Sequence, residues 1–152
     1  MMAEIPRLLM VVGAATPPGR LAAAIAAAAE TVRSDAEDIN VDVMNLAETP
    51  IDTCDGRPLD GYGAETRQAV RRIAAAAAVL IAVPVYRASF PGVLKNLLDI
   101  VPVEALQGKP VGIVAQAVSQ TTAPHAAASH SPTAATRSIT AKNTVAVCHG
   151  VG

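Results

Sequence analysis

This sequence predicts an α/β fold built on a doubly wound, parallel sheet, and three observations carry that expectation. Two short, unbroken apolar runs, Leu8-Leu9-Met10-Val11-Val12 and Val79-Leu80-Ile81-Ala82-Val83, stop at Gly13 and Pro84, as strands buried on both faces do. Segments with helical spacing stand between and after these runs. Strand and helix patterns therefore alternate along the chain, which selects parallel pairing through right-handed crossovers. At 152 residues the chain suits one domain better than two.

The elements follow in order. After the first strand a turn runs from Gly13 to Arg20, and the Ala-dominated stretch 20–33 is a helix, Ala being the best helix former. Ile39-Asn40-Val41-Asp42-Val43-Met44 alternates apolar and polar, as a half-exposed strand does. Residues 48–63 hold two Pro, three Gly and four acidic side chains and read as a long irregular loop. A second helix covers 65–77, with Ala69, Val70, Ile73 and Ala77 on one face. The second buried strand ends at Pro84. Leu94, Leu97, Leu98 and Val101 form the apolar stripe of a third helix between Pro91 and Pro102. Lys109-Pro110 introduces the strand 111–115, and only 144–147 reads as a last strand.

Composition excludes several functions. The formal net charge is -1, so nothing favours nucleic acid or an anionic membrane, and aromatics at 2% supply no base-stacking platform. The longest apolar run, 73–83, is shorter than the roughly 18 residues of a membrane span. Glu4 and Pro6 before the first apolar run, with Pro17, Pro18 and Arg20 after it, argue against a signal peptide. Cys54 and Cys148 make neither a disulfide framework nor a zinc signature. A cytoplasmic protein is expected. Much of the 51% apolar content is Ala, which buries little area per residue, so a modest core and a homo-oligomer, dimer or tetramer, are expected as well.

In an open parallel sheet, ligands sit beyond the carboxyl ends of the strands. The first such loop, Gly13 to Arg20, opens a helix whose free N–H groups favour a phosphate, with Thr16 adding a hydroxyl and Arg20 a fork of donors. Neither the Walker pattern nor G-x-G-x-x-G is present. From this loop alone, a phosphate site and an ordinary strand-to-helix turn with a helix-starting Pro pair stand level. His125, His130 and His149 make a poor metal set, so no metal ligand is assigned. Arg67, Arg71 and Arg72 read as a solvated helix face.

The loop after the second buried strand is far more specific. Pro84, Tyr86, Ser89, Gly92, Leu94, Lys95, Asn96 and Asp99 reproduce the pattern P-x-Y-x-x-S-x-x-G-x-L-K-N-x-x-D. In these residues the chain resembles the NADPH-dependent FMN reductase family, and most of all the reductases that feed two-component monooxygenases. The resemblance runs from residue 8 to residue 115. It implies a flavodoxin-like sheet of order 2-1-3-4-5, FMN as cofactor, and NADPH or NADH as co-substrate. It further implies Gly13, Thr16 and Arg20 around the FMN phosphate, Pro84, Val85, Tyr86, Arg87, Ala88 and Ser89 along the flavin ring, and Ser119 in a third loop. The implied reaction is hydride transfer from nicotinamide to flavin N5, with a flavin-dependent monooxygenase as partner. That chemistry belongs to the cofactor, which agrees with the lack of any catalytic side-chain constellation. A quinone, azo or chromate reductase with bound FMN is the runner-up, and a non-catalytic, degenerate flavin-binding paralogue the third reading.

Beyond residue 118 the composition changes. Residues 119–152 contain no Leu, Asp or Glu and a single Ile. Residues 1–118 therefore read as the FMN-binding core and 119–152 as a degenerate, incomplete C-terminal part of the same domain. A reading-frame change in a GC-rich gene or natural divergence accounts for such a composition. Residues 120–142 are expected to be irregular, because no stripe there covers the sheet.

Overall fold

The computed structural model describes residues 5–16, 19–117 and 144–146. Its elements run β1 (Arg7–Val12), α1 (Arg20–Asp35), β2 (Asn40–Asn45), α2 (Ala64–Ala75), β3 (Ala78–Pro84), α3 (Gly92–Ile100), β4 (Val111–Gln116) and β5 (Thr144–Ala146). The sheet order is β2-β1-β3-β4-β5, as expected of a flavodoxin-like fold. The first four strands are parallel, with Val12 level with both Asn45 and Ala82, and Pro84 level with Gln116.

The fifth strand differs from the expectation. β5 takes its place beside β4, but it runs antiparallel, pairing Ala146 with Ile113 and Thr144 with Ala115. A parallel neighbour needs a long crossover, usually a helix, and the sequence between β4 and β5 lacks the Leu and acidic residues that make an amphipathic one. The segment 120–142, expected to be irregular, lies outside the described residues, as do His125, His130 and His149.

Strand alternation divides the core between the two faces of the sheet. Leu9, Val11, Val79, Ile81 and Val83 face α2 and α3, where Ala69, Val70, Ile73, Leu94, Leu97 and Ile100 meet them. Met10, Val12, Val41 and Ala82 face the opposite way, onto Leu21, Ile25 and Ala29 of α1. In α3 it is Ile100, not Leu98, that joins Leu94 and Leu97 in the core; Leu98 stays half-buried.

Two helix ends are held by basic side chains. Lys109 Nζ donates to the carbonyls of Ile73 and Ala74 at the end of α2, where the helix dipole favours a cation. Arg33, in the last turn of α1, donates to Val41 O at 3.0 Å. Arg72 donates to both carboxylate oxygens of Asp42, at 2.9 and 2.7 Å, and to Val43 O. Arg67 reaches the carbonyls of Asp60 and Tyr62. Two of the three α2 arginines are therefore structural ties, which corrects the solvated face; only Arg71 is exposed. The arginines reach back to β2 and to the preceding loop, contacts that helical spacing does not reveal.

Candidate functional site

The carboxyl ends of β1, β2, β3 and β4 lie along one edge of the sheet, and the order changes direction around β1 and β3. A cleft of about 170 Å³ opens there, bordered by Thr16, Arg20, Asn45, Pro84, Tyr86 and Gln116. Among the described residues no carboxylate lines it.

One side of the cleft is the start of α1. Gly19 is the N-cap and offers no side chain to cap the helix. Ala23 N–H makes the first helical bond, to Gly19 O at 3.1 Å. The N–H groups of Arg20, Leu21 and Ala22 thus lie outside the helix ladder, and all three residues border the cleft. With the positive end of the helix dipole and the Arg20 guanidinium, this end of the cleft is built for an anion.

The other side is a tight turn after β3. Tyr86 N–H donates to Ser89 O at 2.8 Å and Ser89 N–H donates to Tyr86 O at 3.0 Å. The two residues between them, Arg87 and Ala88, have φ of 50° and 62°. This is a two-residue hairpin loop of the kind that Asn-Gly normally supplies, because both central residues need positive φ. An L residue pays about 1 kcal/mol or more in that region, so the turn stores strain where the cleft opens, a common place for it. Neither Arg87 nor Ala88 carries a sequence signal for the turn, which is why it escaped the sequence reading.

The two sides touch. Thr16 Oγ1 and Tyr86 Oη are 3.4 Å apart. Behind them, Gly13 is buried and its N–H donates to Ala82 O at 2.7 Å. A Cβ at Gly13 would lie 3.1 Å from Val83 Cγ1 and 3.3 Å from Leu94 Cβ. Gly13 therefore lets the first loop close onto β3 and α3.

The structure gathers Thr16, Arg20, Pro84 and Tyr86 around one cleft. Val85 is half-buried and donates its N–H to Gln116 O at 2.8 Å. Arg87, Ala88 and Ser89 are exposed on the turn beside the cleft. Ser119 lies outside the described residues. Asn45 and Gln116 were missed by sequence reasoning. Each is the last residue of a parallel strand, and a polar residue at that position was the signal available.

The 48–63 loop is better ordered than its composition suggests. Asn96 Oδ1 accepts Cys54 N–H at 2.8 Å and Asn96 Nδ2 donates to Asp52 O at 2.9 Å. Asp52 accepts from Gly63 N–H and from the Thr66 hydroxyl, and these bonds, Gly63 first, hold its carboxyl below the ordinary range. Arg57 clasps Asp55 and lies 5.1 Å from the centre of the Tyr62 ring; its hydrogen bonds hold the Asp55 carboxyl well below the usual value. The Asn96 of the K-N-x-x-D pattern is thus a clamp on this loop. Among the described residues no three His, Cys, Asp or Glu side chains form a metal-holding group, and no helix is long and apolar enough to cross a membrane.

A family model for NADPH-dependent FMN reductases matches residues 6–151. The chain belongs to the NADPH-dependent FMN reductase family. The resemblance read from the 84–99 segment therefore holds, and the match continues past residue 115. Among its relatives within reductase sequences, the NAD(P)H-dependent FAD/FMN reductase of Geobacillus thermodenitrificans (strain NG80-2) is 30% identical over 78 residues, covering 51% of this chain and 42% of the relative. The NADH-dependent FMN reductase SfnF of Pseudomonas putida is 28% identical over 117 residues, covering 77% of this chain and 63% of the relative. The apo form of an NADH:FMN oxidoreductase (EMOB) superposes with a TM-score of 0.63 at 25% identity, over 77% of this chain and 61% of that one. The chain spans about half the length of the curated relatives it matches.

Proposed function

We propose that this chain is an NAD(P)H-dependent FMN reductase that passes hydride from a nicotinamide to flavin N5 and supplies reduced flavin to a flavin-dependent monooxygenase. One observation carries the reading. The uncapped start of α1, with Arg20, shares a cleft with Pro84 at the end of β3 and Tyr86 of the turn that follows. FMN combines a phosphate with a flat ring, and the donor set fits both parts: free N–H groups, a hydroxyl and a guanidinium at one end, a small-residue strand end with an aromatic at the other. When bound, FMN supplies the redox chemistry.

The chain's own residues bind and orient. Thr16 and Arg20 hold the phosphate, and Gly13 sets the loop that carries Thr16. Pro84, Val85, Tyr86, Ala88 and Ser89 lie along the ring, with the hydrogen-bonded turn fixing their direction, while Arg87 stands at the exposed tip of that turn, outside the cleft. No side chain is required to move a proton. The monooxygenase as acceptor rests on the likeness of the 84–99 segment to reductases of two-component systems.

Removing the Arg20 charge tests the reading. A charge-assisted hydrogen bond contributes about 1.5–3 kcal/mol, so Arg20→Ala should weaken FMN about ten- to a hundredfold. Riboflavin, which lacks the phosphate, should bind the variant as it binds the parent. Equal losses for the two ligands would mean that Arg20 supports the fold and not the phosphate.

A further inference from the structure

We propose that Arg87 holds a phosphate of the incoming nicotinamide dinucleotide and is a substrate-binding residue separate from the FMN phosphate site. The inference rests on the FMN-reductase reading of the cleft. It starts from an inventory of the basic side chains. Arg33, Arg57, Arg72 and Lys95 are paired with Glu30, Asp55, Asp42 and Asp99. Arg67 and Lys109 are spent on backbone carbonyls. Arg7 stands at the opposite end of β1, and Arg71 on the outer face of α2.

Of the basic side chains among the described residues, that leaves two at the carboxyl edge of the sheet. Among the described residues, Arg20 and Arg87 make no hydrogen bond or ion pair with another side chain. Arg20 borders the cleft, at the start of α1. Arg87 does not border it; it sits outside, at the tip of the Tyr86–Ser89 turn, and is exposed. The proposed reaction brings together two phosphate-bearing molecules, FMN within the cleft and a dinucleotide arriving from outside it. The two cations are arranged for those two anions.

The turn explains why Arg87 is fixed in that place. Its φ of 50°, followed by 62° at Ala88, aims the side chain out from a turn closed by two backbone hydrogen bonds. A guanidinium so placed presents a rigid donor fork that suits a phosphate. Tyr86 and Phe90, 38% and 45% exposed, flank the turn and give an apolar surface beside the charge.

The chemistry admits two phosphates on the dinucleotide, the pyrophosphate common to NADH and NADPH and the 2′-phosphate of NADPH alone. The experiment uses Arg87→Gln and Arg87→Lys of the full chain. It measures FMN affinity by titration, NADP+ and NAD+ binding by calorimetry, and KM and kcat with NADPH and with NADH. In Arg87→Gln the KM for dinucleotide should rise about ten- to a hundredfold, with FMN affinity and kcat within about twofold of the parent. A rise with both dinucleotides identifies the pyrophosphate, and a rise with NADPH alone the 2′-phosphate; either supports the assignment. Arg87→Lys should recover part of the loss. Unchanged KM and calorimetric affinity for both dinucleotides would overturn it, as would a loss confined to FMN. Failure of the parent chain to bind FMN at all would instead overturn the reading on which the inference rests.

Discussion

Gly13 offers the sharpest test of how the first loop meets the rest of the site. Gly13→Ala places a Cβ 3.1 Å from Val83 Cγ1, 3.3 Å from Leu94 Cβ and 3.4 Å from Leu94 Cδ2. Carbon atoms settle about 3.5–4.0 Å apart. Val83 and the tip of Leu94 can rotate, but Leu94 Cβ moves only if α3 moves. Overpacking of this kind costs about 1–3 kcal/mol, and the smaller unfolded-state entropy of Ala returns about 0.4–1 kcal/mol. A net loss of about 1–2 kcal/mol lowers Tm by roughly 2–8 °C in a chain of this size. Urea and thermal unfolding would measure it. Val83→Ala removes the closest atom, so the double variant should be less destabilised than the sum of the singles by at least about 0.5 kcal/mol. FMN affinity, weakened in Gly13→Ala as the loop shifts, should partly return in the double variant. Additive losses, or a Gly13→Ala variant as stable as the parent, would refute the packing role.

Ala88→Gly should raise stability by up to about 1 kcal/mol, because Gly accepts a φ of 62° without the Cβ penalty; a destabilised variant would show that the turn does not hold its positive φ in solution. The Arg72–Asp42 pair should give a pH signature. Arg72's hydrogen bonds hold the Asp42 carboxyl below its ordinary value, so the folded state binds that proton less readily than the unfolded chain. The pair's stabilisation is present above the ordinary carboxylate pKa of about 3.9 and fades as the pH falls through the lower, folded value. Arg72→Met should lose about 1 kcal/mol near pH 7, a modest figure because both side chains are about a quarter exposed. Urea midpoints of parent and variant should draw together below about pH 4; a gap constant from pH 7 to pH 3 would contradict the assignment.

The strands and helices of the first three crossovers were legible because each announces itself locally. The apolar runs of β1 and β3 have no polar break, and α1 is Ala-rich with Leu21, Ile25 and Ala29 at the spacing that buries one face. The cleft was partly legible: Thr16, Arg20, Pro84 and Tyr86 lie in loops that the parallel topology brings together. What escaped depends on contacts distant in sequence or on backbone conformation. Arg72 meets Asp42 and Asn96 meets Cys54 across the fold, and no periodicity encodes such pairs. The positive φ at Arg87 and Ala88 occurs without the Gly or Asn that normally marks it. The direction of β5 could not be read from its three residues, since pairing direction is set by the connection and not by the strand.

The central claim is that this chain binds FMN and lets a reduced nicotinamide reduce it. Anaerobic stopped-flow absorbance, mixing the protein and FMN with NADPH and separately with NADH, tests it most directly. The account expects the flavin absorbance to bleach in a protein-dependent phase with at least one dinucleotide, with matching oxidation of the nicotinamide. Flavin absorbance that bleaches no faster with the protein than without it, for both dinucleotides, would contradict the account.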